Sequence, residues 1–99
     1  MEEIAKGCAS TAEILANHLD ASGGIVAGGS EDIKRRYLSS LASGEKLGAF
    51  AATEPGCGCD PMNVETSATA DGEHYVVNGS KVFITNGEEA DVYMPGMKA

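Results

Sequence analysis

The chain has 99 residues, enough for one small domain, with 13 glycines, three Tyr, two Phe and no Trp. At this length roughly 60–65% of the unfolded surface is buried on folding, so scarce large anchors imply a marginal core. The net charge of −8 excludes a basic surface for nucleic acid or an anionic membrane, and leaves backbone N–H groups to do much of the work of holding any anion.

The first segment reads as helical. Ile4, Cys8, Ala12, Leu15 and Leu19 recur at spacings of three and four, which places them on one face. Cys8 reads as a small core residue. Glu2, Glu3 and Glu13 lie off this stripe, and no capping residue precedes Glu2, so the helix begins as though its first turns were missing. Ser22-Gly23-Gly24 is expected to end it. His18, late in this helix, reads as a surface or helix-end residue.

Ile25-Val26-Ala27 is a short apolar stretch before Gly28-Gly29. Ser30 then reads as an N-cap, with Glu31 and Asp32 in the first turn, where the helix dipole favours them. Ile33, Tyr37, Leu38 and Leu41 form an apolar face, and Gly44 is a C-terminal stop. Lys34, Arg35 and Arg36 read as a solvated face.

At residue 47 the pattern changes. Leu47–Ala52 is short and apolar, as in a buried strand, and Thr53–Pro61 is a loop with two prolines and two glycines. Val64–Ala70 alternates weakly, and Asp71-Gly72 signals a turn. His74–Val77 and Ser80–Ile84 flank Asn78-Gly79, the strongest short hairpin signal in the chain. His74 should face solvent. Val92-Tyr93 begins a further strand.

The three cysteines, Cys8, Cys57 and Cys59, form no disulfide framework and suggest a reducing compartment. Met1-Glu2-Glu3-Ile4 has no basic n-region, and no apolar run is long enough for a signal peptide or membrane span. Asn78-Gly79-Ser80 matches a glycosylation sequon, read as chance. Cys57-x-Cys59 with Cys8 and His18 lacks a second closely spaced ligand pair, so no metal site is assigned. On spacing alone, Gly56 and Gly58 fit either a tight connection or a nest of amides around an anion.

Two blocks carry a resemblance. LASGEKLGAFAATEPGCGCD at Leu41–Asp60 and YVVNGSKVFITNG at Tyr75–Gly87 resemble the acyl-CoA dehydrogenase family, in the family's order and spacing. Glu2–Thr11 and Gly29–Leu38 look like its preceding helices. The resemblance implies an α+β fragment: two helices, then antiparallel strands of a β domain, from a parent with a helical domain, a β barrel and a helical bundle. Residues 1–46 would close the helical domain, and 47–99 would open the middle β domain that lines the flavin.

The resemblance further implies FAD as cofactor and oxidation of an acyl-CoA to a trans-2-enoyl-CoA. Electrons would pass to an electron-transfer flavoprotein, and the parent would be a homotetramer in the bacterial cytoplasm or the mitochondrial matrix, not secreted. Phe50, Ala51, Ala52, Thr53, Glu54, Pro55, Gly56, Cys57, Gly58 and Cys59 would line the FAD. Ala52 and Thr53 would approach the pyrimidine edge of the ring. Gly58 and Cys59 would lie near the pyrophosphate, and Cys59 at the edge of the CoA site. Phe83, Ile84 and Thr85 would pack beside the flavin, with Thr85 near N5.

Departures accompany the likeness. Cys59 stands where a hydroxyl is usual, Cys57 replaces a small residue, and Ala52 a larger aliphatic one. Met94-Pro95-Gly96-Met97 departs from the family, which continues there as a buried strand. No residue here matches the family's catalytic base, and Glu54 reads as a structural carboxylate; the chain alone should be inactive. Alternatives are an acyl-CoA oxidase or flavin monooxygenase on the same scaffold, or a non-enzymatic metal-binding or interaction module.

Overall fold

The computed structural model describes residues 1–58 and 60–98. Three helices come first: α1 (Glu2–Gly7), α2 (Ala9–Gly28) and α3 (Glu31–Ser43). Strand β1 (Gly48–Ala51), a single 3-10 turn at Pro61–Asn63, and strands β2 (Ser67–Asp71), β3 (His74–Asn78) and β4 (Val92–Pro95) follow. Helices followed by strands is the α+β order read from the sequence.

The helical boundaries differ from expectation at two places. Cys8 takes an extended backbone (φ −158°, ψ 113°) and separates α1 from α2. It is exposed, not a core residue. The second difference is at Ser22-Gly23-Gly24, where the helix continues instead of stopping. A Cβ on Gly24 would overlap the Met94 thioether of β4. The glycine there serves a close helix–strand approach, and that packing outweighs its poor helix propensity. The expected stripe also shifts, because Ala12, Ala21 and Ile25 are the buried positions of α2 and Leu19 is half exposed.

Helix α3 is bounded as its sequence indicates. The Ile33 N–H donates to Ser30 Oγ at 3.3 Å, and Gly44 closes the helix in the left-handed region at φ 77°. Leu41 is its buried anchor.

Two strand pairs form among the described residues. β2 and β3 are antiparallel around the Asp71-Gly72 turn, in register from Ser67↔Asn78 to Asp71↔His74. β1 and β4 are parallel, from Gly48↔Val92 to Ala51↔Pro95. Met94 and Pro95 thus lie within a strand, despite their departure from the family pattern.

Asn78-Gly79 is not a hairpin turn. Asn78 ends β3, and Ser80–Ile84 forms no strand. A Cβ on Gly79 would lie 2.6 Å from Thr66 Cβ and 2.7 Å from its Cα. This glycine is present so that two backbones can approach, and the segment after it runs on to the end of β1. Val82 N–H donates to Thr53 O at 3.0 Å there.

The core is small. Ala12, Ala21, Ile25, Leu41, Ala49, Ala51 and Cys57 are its buried apolar members, and only Leu41 among them is both large and almost fully enclosed. It sits where α2 packs across β1.

Candidate functional site

The site grows from β1. One edge of this short strand pairs with β4. On the α2 side, Asn17 does the work of a neighbouring strand: Phe50 N–H donates to its Oδ1 at 2.9 Å, and its Nδ2 donates to Phe50 O at 3.3 Å. His18 fixes the start of the strand. Gly48 N–H donates to His18 Nδ1 at 2.9 Å, and Nε2 lies 3.1 Å from Leu41 O. Because Nδ1 accepts, the neutral ring carries its proton on Nε2 and donates to Leu41. His18 therefore ties α2, α3 and β1 together, with both ring nitrogens engaged. Asn86 adds a third tie, donating from Nδ2 to Gly48 O at 3.2 Å and to Ile14 O at 3.1 Å.

Beyond β1 the chain turns tightly. Glu54 N–H donates to Cys57 O at 2.9 Å and Cys57 N–H to Glu54 O at 3.1 Å, leaving Pro55 and Gly56 exposed at the tip. The Cys57 thiol is buried and donates to Asp60 O at 2.8 Å. The amides of Glu54 and Cys57 thus serve each other. Any anion nest in this loop would rest on Gly56 and Gly58. Cys59 lies outside the described residues.

Glu54 faces inward and is only 4% exposed. Its carboxylate accepts from Glu65 N–H at 2.6 Å, Thr66 N–H at 2.9 Å and Lys81 Nζ at 2.8 Å. The Lys81 ammonium first, with the Glu65 and Thr66 amides, holds its carboxyl down to about 2. Burial opposes these donors without outweighing them. The buried Thr66 hydroxyl has no hydrogen-bond partner among the described residues. Lys81 Nζ also donates to Ala52 O at 2.9 Å. The Glu54 side chain, N–H and C=O are all engaged inside the chain, as in a structural carboxylate.

Two clefts flank the strand end. The first, about 470 Å³, is lined by Phe50, Ala52, Gly58, Asp60, Pro61, Val64, Gly96 and Met97. The second, about 520 Å³, is lined by Ala51, Lys81, Phe83, Ile84, Gly87, Glu88, Tyr93 and Pro95. The pleat accounts for the division, since alternate residues of a strand face opposite sides. Phe50, Ala52 and Gly58 thus share one cleft, while Ala51, Phe83 and Ile84 share the other. Thr53 is half-buried just beyond β1, and Thr85 is half-buried in the turn after Ile84. Phe83 is 94% exposed and has φ 56°, an unusual backbone for a bulky side chain.

Asn17, Asn86 and Lys81 were not singled out by sequence reasoning, and His18 was expected at a surface or helix end. Isolated polar residues beside apolar periodicity carry no local signal of a backbone partner more than 20 residues away. The described residues contain no cluster of three or more His, Cys, Asp or Glu able to hold a metal ion.

Residues 49–98 match the acyl-CoA dehydrogenase middle domain, and residues 1–45 match the acyl-CoA dehydrogenase N-terminal domain. The chain belongs to the acyl-CoA dehydrogenase family. Within it, the short-chain specific acyl-CoA dehydrogenase of Clostridium acetobutylicum is 44% identical over 95 residues, covering 95% of this chain and 25% of that protein. Butyryl-CoA dehydrogenase from Megasphaera elsdenii superposes with a TM-score of 0.85 at 42% identity, over 95% of this chain and 25% of that one. A structure of PigA with FAD and proline superposes at 0.78 and 40% identity, over 83% of this chain and 22% of that one. The chain spans about a quarter of the length of these acyl-CoA dehydrogenase relatives. No helix among the described residues is long and apolar enough to cross a membrane.

Proposed function

We propose that this chain supplies one wall of the FAD site in an acyl-CoA dehydrogenase that oxidises an acyl-CoA to a trans-2-enoyl-CoA. Residues 1–46 would belong to its helical domain and 47–99 to the β domain that lines the flavin. The observation that carries the reading is the pair of clefts around the end of β1, walled by the two blocks of the family likeness. Phe50, Ala52, Pro61, Val64 and Met97 give the first cleft apolar walls suited to a planar ring. The acid within this cleft is Asp60, whose carboxylate accepts from the Met62 amide and from Asn63 Nδ2, while Glu54 is turned inward and paired with Lys81.

FAD would supply the hydride acceptor. The chain's own part is to orient and to exclude water. Ala52 and Thr53 would meet the pyrimidine edge, where a donor stabilises negative charge. Gly58 and Cys59 would lie near the pyrophosphate, and Cys59 at the CoA edge. Phe83, Ile84 and Thr85 would cover the flavin. The base that removes the substrate proton would lie outside this chain; the parent protein would pass electrons to an electron-transfer flavoprotein, assemble as a homotetramer and reside in the bacterial cytoplasm or the mitochondrial matrix.

A graft tests this reading. The 99 residues replace the matching segment of the Clostridium acetobutylicum relative, and butyryl-CoA is added to the chimera without oxygen. Bound FAD with bleaching of its visible absorbance is expected. A folded chimera that takes up no FAD sinks the proposal, and so does bleaching by the isolated chain with FAD, since that would place the base within it. The PigA relative's FAD and proline favour a second reading, in which the same flavin wall serves a substrate other than an acyl-CoA. A flavin-loaded chimera that ignores acyl-CoA thioesters would support that alternative.

A further inference from the structure

The first block of the family likeness lines both clefts, through Ala52 and Ala51, and the second block lines the cleft of Ala51; one side chain holds the two blocks together. Lys81 lines the cleft of Phe83 and Ile84. Its ammonium reaches out of that cleft to Ala52 O at 2.9 Å and Glu54 Oε1 at 2.8 Å. Ala52 lines the other cleft. The next residue, Val82, donates its N–H to Thr53 O. Residues 81 and 82 thus grip Ala52, Thr53 and Glu54 in succession. Lys81 is largely enclosed, with 13% of its side chain exposed, and Glu54 is at 3%. This is unlike the other lysine–glutamate pairs of the chain, which join neighbours along one helix and lie at the surface.

The geometry points to Lys81 as a positioning residue that sets the spacing of the two flavin-facing blocks, through Ala52 O and the Glu54 carboxylate. The flavin part of this inference rests on the reading proposed above. Lys81 touches no reacting atom. Its ammonium neutralises the one buried carboxylate at the strand end and orients the carbonyl beside Thr53. Glu54 in turn holds the Glu65 and Thr66 amides, so the Thr53–Glu65 loop is anchored at both ends by one ion pair.

The test compares the full chain with Lys81→Met and with the double variant Glu54→Gln/Lys81→Met. The double variant removes the lone buried charge that could unfold the single one. Amide hydrogen exchange is followed residue by residue, and FAD affinity and the bound-flavin spectrum are measured on the holoprotein. Exchange at Val82 should rise at least about tenfold in the variants, while amides of the β2–β3 hairpin stay unchanged. FAD should bind about tenfold more weakly, with displaced visible bands. Unchanged exchange at Val82, or exchange raised equally across the whole chain, overturns the inference. Unchanged affinity and spectrum in a variant whose Val82 is released also overturn it. A parent protein that takes up no FAD overturns the flavin reading instead, and the tether is then decided by the exchange data alone.

Discussion

At the scale of single residues, charge is kept inside this small protein by donors in fixed places. Glu54 has two backbone amides and one ammonium around its carboxylate. Its acidity in the folded state, near 2, lies below the ordinary value of 4.5. A depressed folded-state pKa gives stability that is complete above the unfolded value and is lost as pH falls toward the folded one. Acid should therefore weaken the fold progressively between about pH 4.5 and 2. Glu54→Gln should flatten that part of the curve while lowering stability at pH 7, measured as urea midpoints against pH. His18 makes a different point. Its imidazole accepts from Gly48 N–H, which a doubly protonated ring cannot do. His18→Ala loses two hydrogen bonds, so a cost of about 1–3 kcal/mol is expected, read from urea denaturation.

At the scale of elements, local chemistry was legible where the partner was local. Ser30 and Gly44 bounded α3 because a cap is completed within three or four residues. Asp71-Gly72 formed its turn because β2 and β3 are adjacent in the chain. Glycine misled wherever it served a distant neighbour. Gly23-Gly24 read as a stop, yet Met94, some 70 residues later, makes a helix there worthwhile. Asn78-Gly79 read as a hairpin, yet Gly79 is pressed against Thr66. The reading of Gly24 has a specific consequence. In a Met94→Ala background, Gly24→Ala should stabilise the chain by about 0.5–1 kcal/mol, because only the helix-propensity gain remains. With Met94 intact, that gain should be largely cancelled by displacement of the thioether. A double-mutant cycle by chemical denaturation measures the difference.

At the scale of the molecule, the chain is open for its size. Its accessible surface is 6825 Å², against about 5,300 Å² for a compact monomer of this mass. Its radius of gyration is 14.4 Å, against about 12.6 Å. Every residue of β3 is exposed, and an isolated two-stranded hairpin has little stability of its own. Sequence composition had indicated the thin core, since no Trp and two Phe cannot fill much space, and Phe83 is on the surface. It could not indicate the division of the site into two clefts, which follows from pleat alternation at Ala51 and Ala52. Leu41 is the one large enclosed anchor among the described residues. Leu41→Ala should cost about 2–5 kcal/mol, enough to abolish a cooperative thermal transition followed by circular dichroism.

The parallel pairing of β1 with β4 also has a consequence in time. Gly48 waits for Val92, 44 positions later. At translation rates of about 5–20 residues per second, β1 is made roughly 2–9 s before its partner. The β2–β3 hairpin, encoded wholly inside that interval, can close within microseconds. Pairing of β1 with β4 should therefore come last, after the helices and this hairpin have been made. Until β4 emerges, Asn17 and His18 of α2 cover the Gly48 and Phe50 edge of β1, and the opposite edge, whose Leu47 and Ala51 carbonyls later accept from Val92 and Gly96, stays open to pairing with a neighbouring nascent chain.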